Sequence, residues 1–130
     1  MNKFFIFFLK LLAAIIMLQT LYFKFTGAQE SIDLFTKLIG EYEAYMRVGT
    51  GIMEFTATVL LFLPRTTWLG AAFTSGLMSG AILSHLVVLG IEHNNDGGAL
   101  FYGAVITFVA GLILLYNERK QIPIIGKILQ

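Results

Sequence analysis

The stretch FFIFFLKLLAAIIMLQTLYFKF, residues 4–25, decides the fold. It is an apolar run rich in Phe, Leu and Ile, and about 20 such residues cross a bilayer as one helix. Lys3 stands in front of it, and Lys10 can snorkel towards the same side by laying its stem along the helix. A cleaved signal peptide also opens with a basic residue, and Thr26-Gly27-Ala28 has the small residues of a cleavage site. Lys10 interrupts the apolar core, however, and the stretch is long for a signal, so a membrane span is expected.

The remainder of the chain repeats the pattern. Of 130 residues, 57% are hydrophobic and 13% charged, and the mean hydropathy is +0.78; soluble domains carry roughly twice that share of charge, about 25%. The length divides into a single transmembrane domain with spans at about 4–25, 45–63, 68–89 and 97–116. An all-α, four-helix membrane bundle is therefore expected. Between the first two spans the composition turns polar, and Ile32, Leu34, Phe35, Leu38 and Ile39 recur at the spacing of a short helix lying on the membrane surface. Ser31 is placed to cap it and Gly40 to end it. Pro64 stops the second span, and Arg65-Thr66-Thr67 is a connection so short that the second and third spans must be antiparallel neighbours. In the third span Ala72, Gly76, Gly80 and Ser84 fall on one face, which lets another helix approach closely, within the bundle or in a homodimer. Asp96 is placed to cap the fourth span.

Lys and Arg near the span ends set orientation. With both termini on one side, that side holds Lys3, Lys10, Arg65, Arg119, Lys120 and Lys127, against Lys24, Lys37 and Arg47 on the other. Both termini are expected to face the cytoplasm.

Several chemistries are excluded. A formal charge of +1 and the lack of a basic run interleaved with aromatics give no basis for nucleic-acid binding. Without cysteine there is no disulfide, thiol relay, thiolate zinc site or cysteine-held iron–sulfur cluster. A bis-histidine haem would need a second histidine in the bundle, whereas His93 lies in a polar loop. No zinc-protease, di-iron, nucleotide-cradling or serine-hydrolase motif is present.

Ionisable residues within spans are costly and are functional-site candidates by default. On the second span Arg47, Thr50, Gly51, Glu54 and Thr58 share one stripe, which should face the bundle interior. At 1.5 Å per residue, Glu54 lies about 13 Å below Tyr45 and His85 about 7 Å below Gly90, so both occupy the outer half of the membrane. Lys24, one turn from Thr20, ends the first span at the same side. Lys24, Arg47, Glu54 and His85 are accordingly expected to line a small outward-facing polar pocket. The plainer account makes Lys24 and Arg47 snorkelling anchors and Glu54 a partner in a structural ion pair.

The motifs YFKFTG at 22–27, RVGTGIME at 47–54, LPRTT at 63–67, SGAILSH at 79–85 and DGG at 96–98, in that order, make the chain resemble the DoxX-like family of small bacterial four-helix membrane proteins. The resemblance implies a bacterial cytoplasmic membrane and a link to respiratory redox chemistry, since relatives include the small subunit of a thiosulfate:quinone oxidoreductase. It makes Lys24, Arg47, Glu54 and His85 the family's polar signature, with a quinone headgroup able to accept bonds from Lys24 or His85. The expected function is that of a non-catalytic or accessory subunit that binds a quinone or a similar amphiphile, with a redox protein as its partner. Two alternatives stay open: a proton-coupled transporter using Glu54, and a scaffold holding an extracytoplasmic partner on the surface helix.

Overall fold

The computed structural model describes residues 2–91 and 97–122, and these are helical apart from short turns. The helices are α1 (Lys3–Thr26), α2 (Gln29–Ile39), α3 (Glu43–Phe62), α4 (Thr67–Ser84) and α5 (Ala99–Asn117). A π-helical turn, His85–Leu89, extends α4, and 3₁₀ turns lie at Gly40–Tyr42 and Arg119–Gln121. Asp96, His93 and Lys127 lie outside the described residues.

Local chemistry explains most of the boundaries. Asn2 opens α1 by accepting the Phe4 N–H at 2.7 Å, the usual role of an Asn cap. Gly27 closes it in the left-handed conformation at φ 67°, with the N–H groups of Gly27 and Ala28 both reaching the Phe23 carbonyl. The chain resumes helix at once, with Ala28 in the capping position, so Ser31 falls inside the first turn of α2 rather than capping it. Its N–H donates to the Ala28 carbonyl at 3.0 Å. Gly40 ends α2 at φ 70°, as expected. Leu63 is extended, as the residue before Pro64 must be, and the turn that follows is bridged by Thr66 N–H to the Leu63 carbonyl. The last long helix starts at Ala99, two residues later than the sequence implies, because Gly97 and Gly98 both adopt positive φ.

Helix α3 packs on α1 and α4, and α5 packs on α4 and α1, so each of these has two long neighbours. Met17, Ala57, Leu61, Ala71 and Leu114 are fully buried where they meet, and Met17 of α1 touches Thr74 of α4 across the middle. The stripe expected to line the interior on α3 does so: Gly51, Glu54 and Thr58 are buried, with Arg47 and Thr50 at its half-buried end. Helix α2 lies against α3 and the π-helical turn, and buries Phe35.

The small-residue stripe of α4 takes a different place from the one within the bundle. Thr67, Gly70, Ala71, Thr74, Ser75 and Met78 form the buried face, and a Cβ at Gly70 would stand 2.5 Å from the Leu61 amide nitrogen. Gly76 and Gly80 are exposed with nothing within 4 Å of the Cβ position, so they face away from the other helices. Ala71 and Thr74 are small enough to serve the interior, which frees the glycine face.

Outer faces are apolar. Phe4, Phe8, Ile15, Phe55, Leu83, Val87 and Tyr116 are among the many large side chains left exposed, far more than a water-soluble surface carries in continuous patches. Among the described residues three helical segments are long and apolar enough to cross a membrane: Lys3–Thr26, Thr67–Leu89 and Ala99–Asn117. Helix α3 has 20 residues but carries Glu43, Arg47 and Glu54, and is not one of the three.

Candidate functional site

Thr20 and Lys24 are one turn apart on α1, so their side chains lie on one face. Both turn to Glu54 of α3. Lys24 Nζ stands 2.6 Å from Glu54 Oε1, and Thr20 Oγ1 lies 2.9 Å from Glu54 Oε2. The Lys24–Oε1 approach is an ion pair off the direction of a well-formed hydrogen bond. Thr20 Oγ1 is also 3.0 Å from the Met17 carbonyl, and its single proton serves one acceptor at a time. The Glu54 side chain is 2% exposed and that of Lys24 14%. A carboxylate at that depth persists only with a partner, and Lys24 supplies it.

Arg47, two turns before Glu54, extends the cluster. Its Nε donates to Glu43 Oε2 at 2.9 Å, one turn back along α3, and its Nη1 donates to the main-chain carbonyl of Lys24. That carbonyl belongs to the last turn of α1, where acceptors lack helical partners and the dipole favours a cation. Gly51 completes the contact, since a Cβ there would stand 2.7 Å from the Phe25 ring. Two acids and two bases thus balance along the α1–α3 seam.

His85 makes its contacts elsewhere. Its Nδ1 is 3.0 Å from the Gly90 carbonyl, and its ring meets Phe101 edge-on with centroids 5.8 Å apart. The Gly90 N–H returns to the His85 carbonyl at 2.6 Å, which closes the π-helical turn. The structure therefore joins Lys24, Arg47 and Glu54, and shows no bond from His85 to them among the described residues. Lys24 and Arg47 are not free snorkelling anchors, because both are mostly buried and bonded. Glu43 is the participant that sequence reasoning missed; its four-residue spacing from Arg47 was the available signal.

The Lys24 ammonium has three N–H donors, and among the described residues it faces one carboxylate oxygen. Among the described residues no group of three His, Asp or Glu is placed to hold a metal ion.

Searches of curated proteins and of solved structures give no match. The model of the DoxX-like family matches residues 8–111, a span that includes α1 from its second turn, α2, α3, α4 and most of α5. With its apolar helices and this match over most of its length, the chain is a membrane protein that belongs to the DoxX-like family.

Proposed function

We propose that the chain is a four-span protein of the bacterial cytoplasmic membrane, with α1, α3, α4 with its π-helical turn, and α5 as the spans and both termini in the cytoplasm. Support for α3 as a span comes from its 20-residue length and from the pairing of its charges: Glu54 with Lys24 and Glu43 with Arg47. The distribution of Lys and Arg supports the orientation. In this setting α2 lies at the outer surface, against the end of α4.

Within that frame the protein acts as a non-catalytic accessory subunit of membrane redox chemistry, and the Lys24–Glu54 pair offers a binding point for a quinone or a similar carbonyl-bearing amphiphile. The observation that carries this reading is the partly buried Lys24 ammonium, paired with one carboxylate oxygen at 2.6 Å. A quinone carbonyl can accept one of its remaining N–H groups. His85, at the end of α4, would take part only through a ligand large enough to reach it. The outward face at Gly76 and Gly80 supports a homodimer seam, since nothing else in the chain covers it among the described residues.

The test is purification in native lipid particles, with mass spectrometry of the small molecules retained. A quinone held by the wild-type protein and lost in Lys24→Met, while the variant stays folded, supports the reading. A wild-type protein that retains no quinone when loaded with excess ubiquinone or menaquinone overturns it.

A further inference from the structure

Fourteen residues before Lys24, about 21 Å along α1 at 1.5 Å per residue, the start of this helix meets the end of α5. A cleft of about 280 Å³ opens there, lined by Lys3, Ile6, Phe7, Lys10, Asn117 and Glu118. One water occupies about 30 Å³ of the liquid, so the space suits a group of many atoms rather than a single ion.

Its lining has two distinct halves. Lys3 and Lys10 are two turns apart on one side of α1, about 10 Å along the axis, and neither has an ion-pair partner among the described residues. Glu118 is the acid of the cleft, and its Oε1 accepts from Asn117 Nδ2 at 3.0 Å. The lining therefore carries a formal charge of +1. The other half is apolar: Ile6 is buried, and the exposed Phe7 ring leans edge-on against Phe62 of α3. Exposed Phe4, Phe8 and Leu11 continue the apolar surface along α1.

We propose that this cleft binds the headgroup of a phospholipid that carries one net negative charge and free hydroxyls. The phosphodiester lies between the Lys3 and Lys10 ammoniums, whose flexible stems let the two heads converge on it. A headgroup hydroxyl donates to Glu118, and the acyl chains run down the exposed aromatic face of α1. Such a lipid neutralises the lining. Inorganic phosphate would leave Phe7 and the apolar wall without a partner. The inference rests on the four-span reading in placing this end of the helices at headgroup depth; labelling of single cysteines introduced at Asn2, Lys37, Arg65 and Gly97 with a membrane-impermeant maleimide, run first in this cysteine-free chain, tests that reading by itself.

The experiment is native mass spectrometry of the full chain in detergent, titrated with phosphatidylglycerol or with phosphatidylcholine of the same acyl chains. Lys3→Gln/Lys10→Gln is compared with Lys37→Gln, which keeps the cleft intact. Phosphatidylglycerol should bind in preference to phosphatidylcholine, and the double variant should lose that preference by on the order of tenfold, as expected for two lysines at an anionic headgroup. Equal binding of the two lipids by the wild-type chain overturns the proposal, as does a preference unchanged in the double variant. Displacement of phosphatidylglycerol by millimolar inorganic phosphate overturns the lipid as the source of the phosphate group.

Discussion

Lys24 Nζ lies 2.6 Å from Glu54 Oε1, and the same lysine's main-chain carbonyl accepts from Arg47, so one residue of α1 holds α3 at two points. The two contacts differ in kind. The ion pair neutralises a buried acid, whereas the arginine satisfies an acceptor that the end of a helix leaves open.

Removing the ammonium alone should therefore cost more than removing both charges. Lys24→Met leaves Glu54 buried beside Thr20 without a cation, a loss on the order of 3 kcal/mol for breaking a buried pair. Lys24→Met/Glu54→Gln removes the charge along with its partner and should recover much of that. Thermal unfolding of the three proteins in one detergent checks this order. If the double variant is as unstable as Lys24→Met, the pair is not what stabilises the seam.

Gly70 and Gly76 are six residues apart on α4 and should respond oppositely to alanine. A Cβ at Gly70 would meet main-chain atoms of α3: Leu61 N at 2.5 Å, Leu60 C at 2.8 Å and the Ala57 carbonyl oxygen at 2.9 Å. Backbone cannot rotate aside, so α3 and α4 must separate, at about 2 kcal/mol or more. At Gly76 nothing lies within 4 Å, and Gly76→Ala should leave the fold of the single chain intact or slightly firmer. Melting temperatures read the difference, and chemical crosslinking of Gly76→Leu in membranes reads whether that open face holds a second copy.

These two glycines also mark what the sequence makes legible. Hydropathy places the long helices to within a few residues because a change from apolar to polar or turn-forming residues marks their ends, and Gly40 and Pro64 end their helices for local reasons that any context preserves. The face that a helix turns inward is less legible when small residues cover most of its circumference. Gly70, Ala71, Thr74 and Ser75 compete with Ala72, Gly76 and Gly80 as a packing surface, and only the positions of α3 and α5 decide between them. The polar cluster is legible in part for a related reason. Lys24, Arg47 and Glu54 announce themselves as charges within apolar runs, and charge must be paired when buried. His85 shares that signal, yet its π-helical turn and its Phe101 contact answer the need locally, without the other three.

Ser75 offers a test in the opposite sense, where a substitution should help. Its hydroxyl is buried with no hydrogen-bond partner among the described residues, and a buried polar group left unsatisfied costs about 1 kcal/mol or more. Ser75→Ala should raise the melting temperature. The same oxygen lies 2.8 Å from the Cβ position of Gly111 on α5, so Gly111→Ala should be less damaging in the Ser75→Ala background than alone. The four melting temperatures of this double-mutant cycle isolate the coupling between the two sites, and strict additivity would show that the α4–α5 approach is set elsewhere.

Arg47 is the residue whose conservative replacement should separate geometry from charge. Its guanidinium reaches two acceptors on different helices, Glu43 Oε2 at 2.9 Å and the Lys24 carbonyl, through nitrogens held in one plane. Lysine keeps the charge as a single point on a flexible stem and cannot hold that fork. Arg47→Lys should therefore keep the pairing with Glu43 but loosen the end of α1, where the carbonyl returns to being an open acceptor. Hydrogen exchange is the suitable readout. Amides of Gly27 and Ala28, which bond the Phe23 carbonyl in the adjoining turn, should exchange faster in Arg47→Lys, while those at the centre of α3 stay protected. Equal loss of protection along all of α3 would assign Arg47 to the stability of its own helix instead. No change at Gly27 and Ala28 would mean that the turn is held by its left-handed glycine alone.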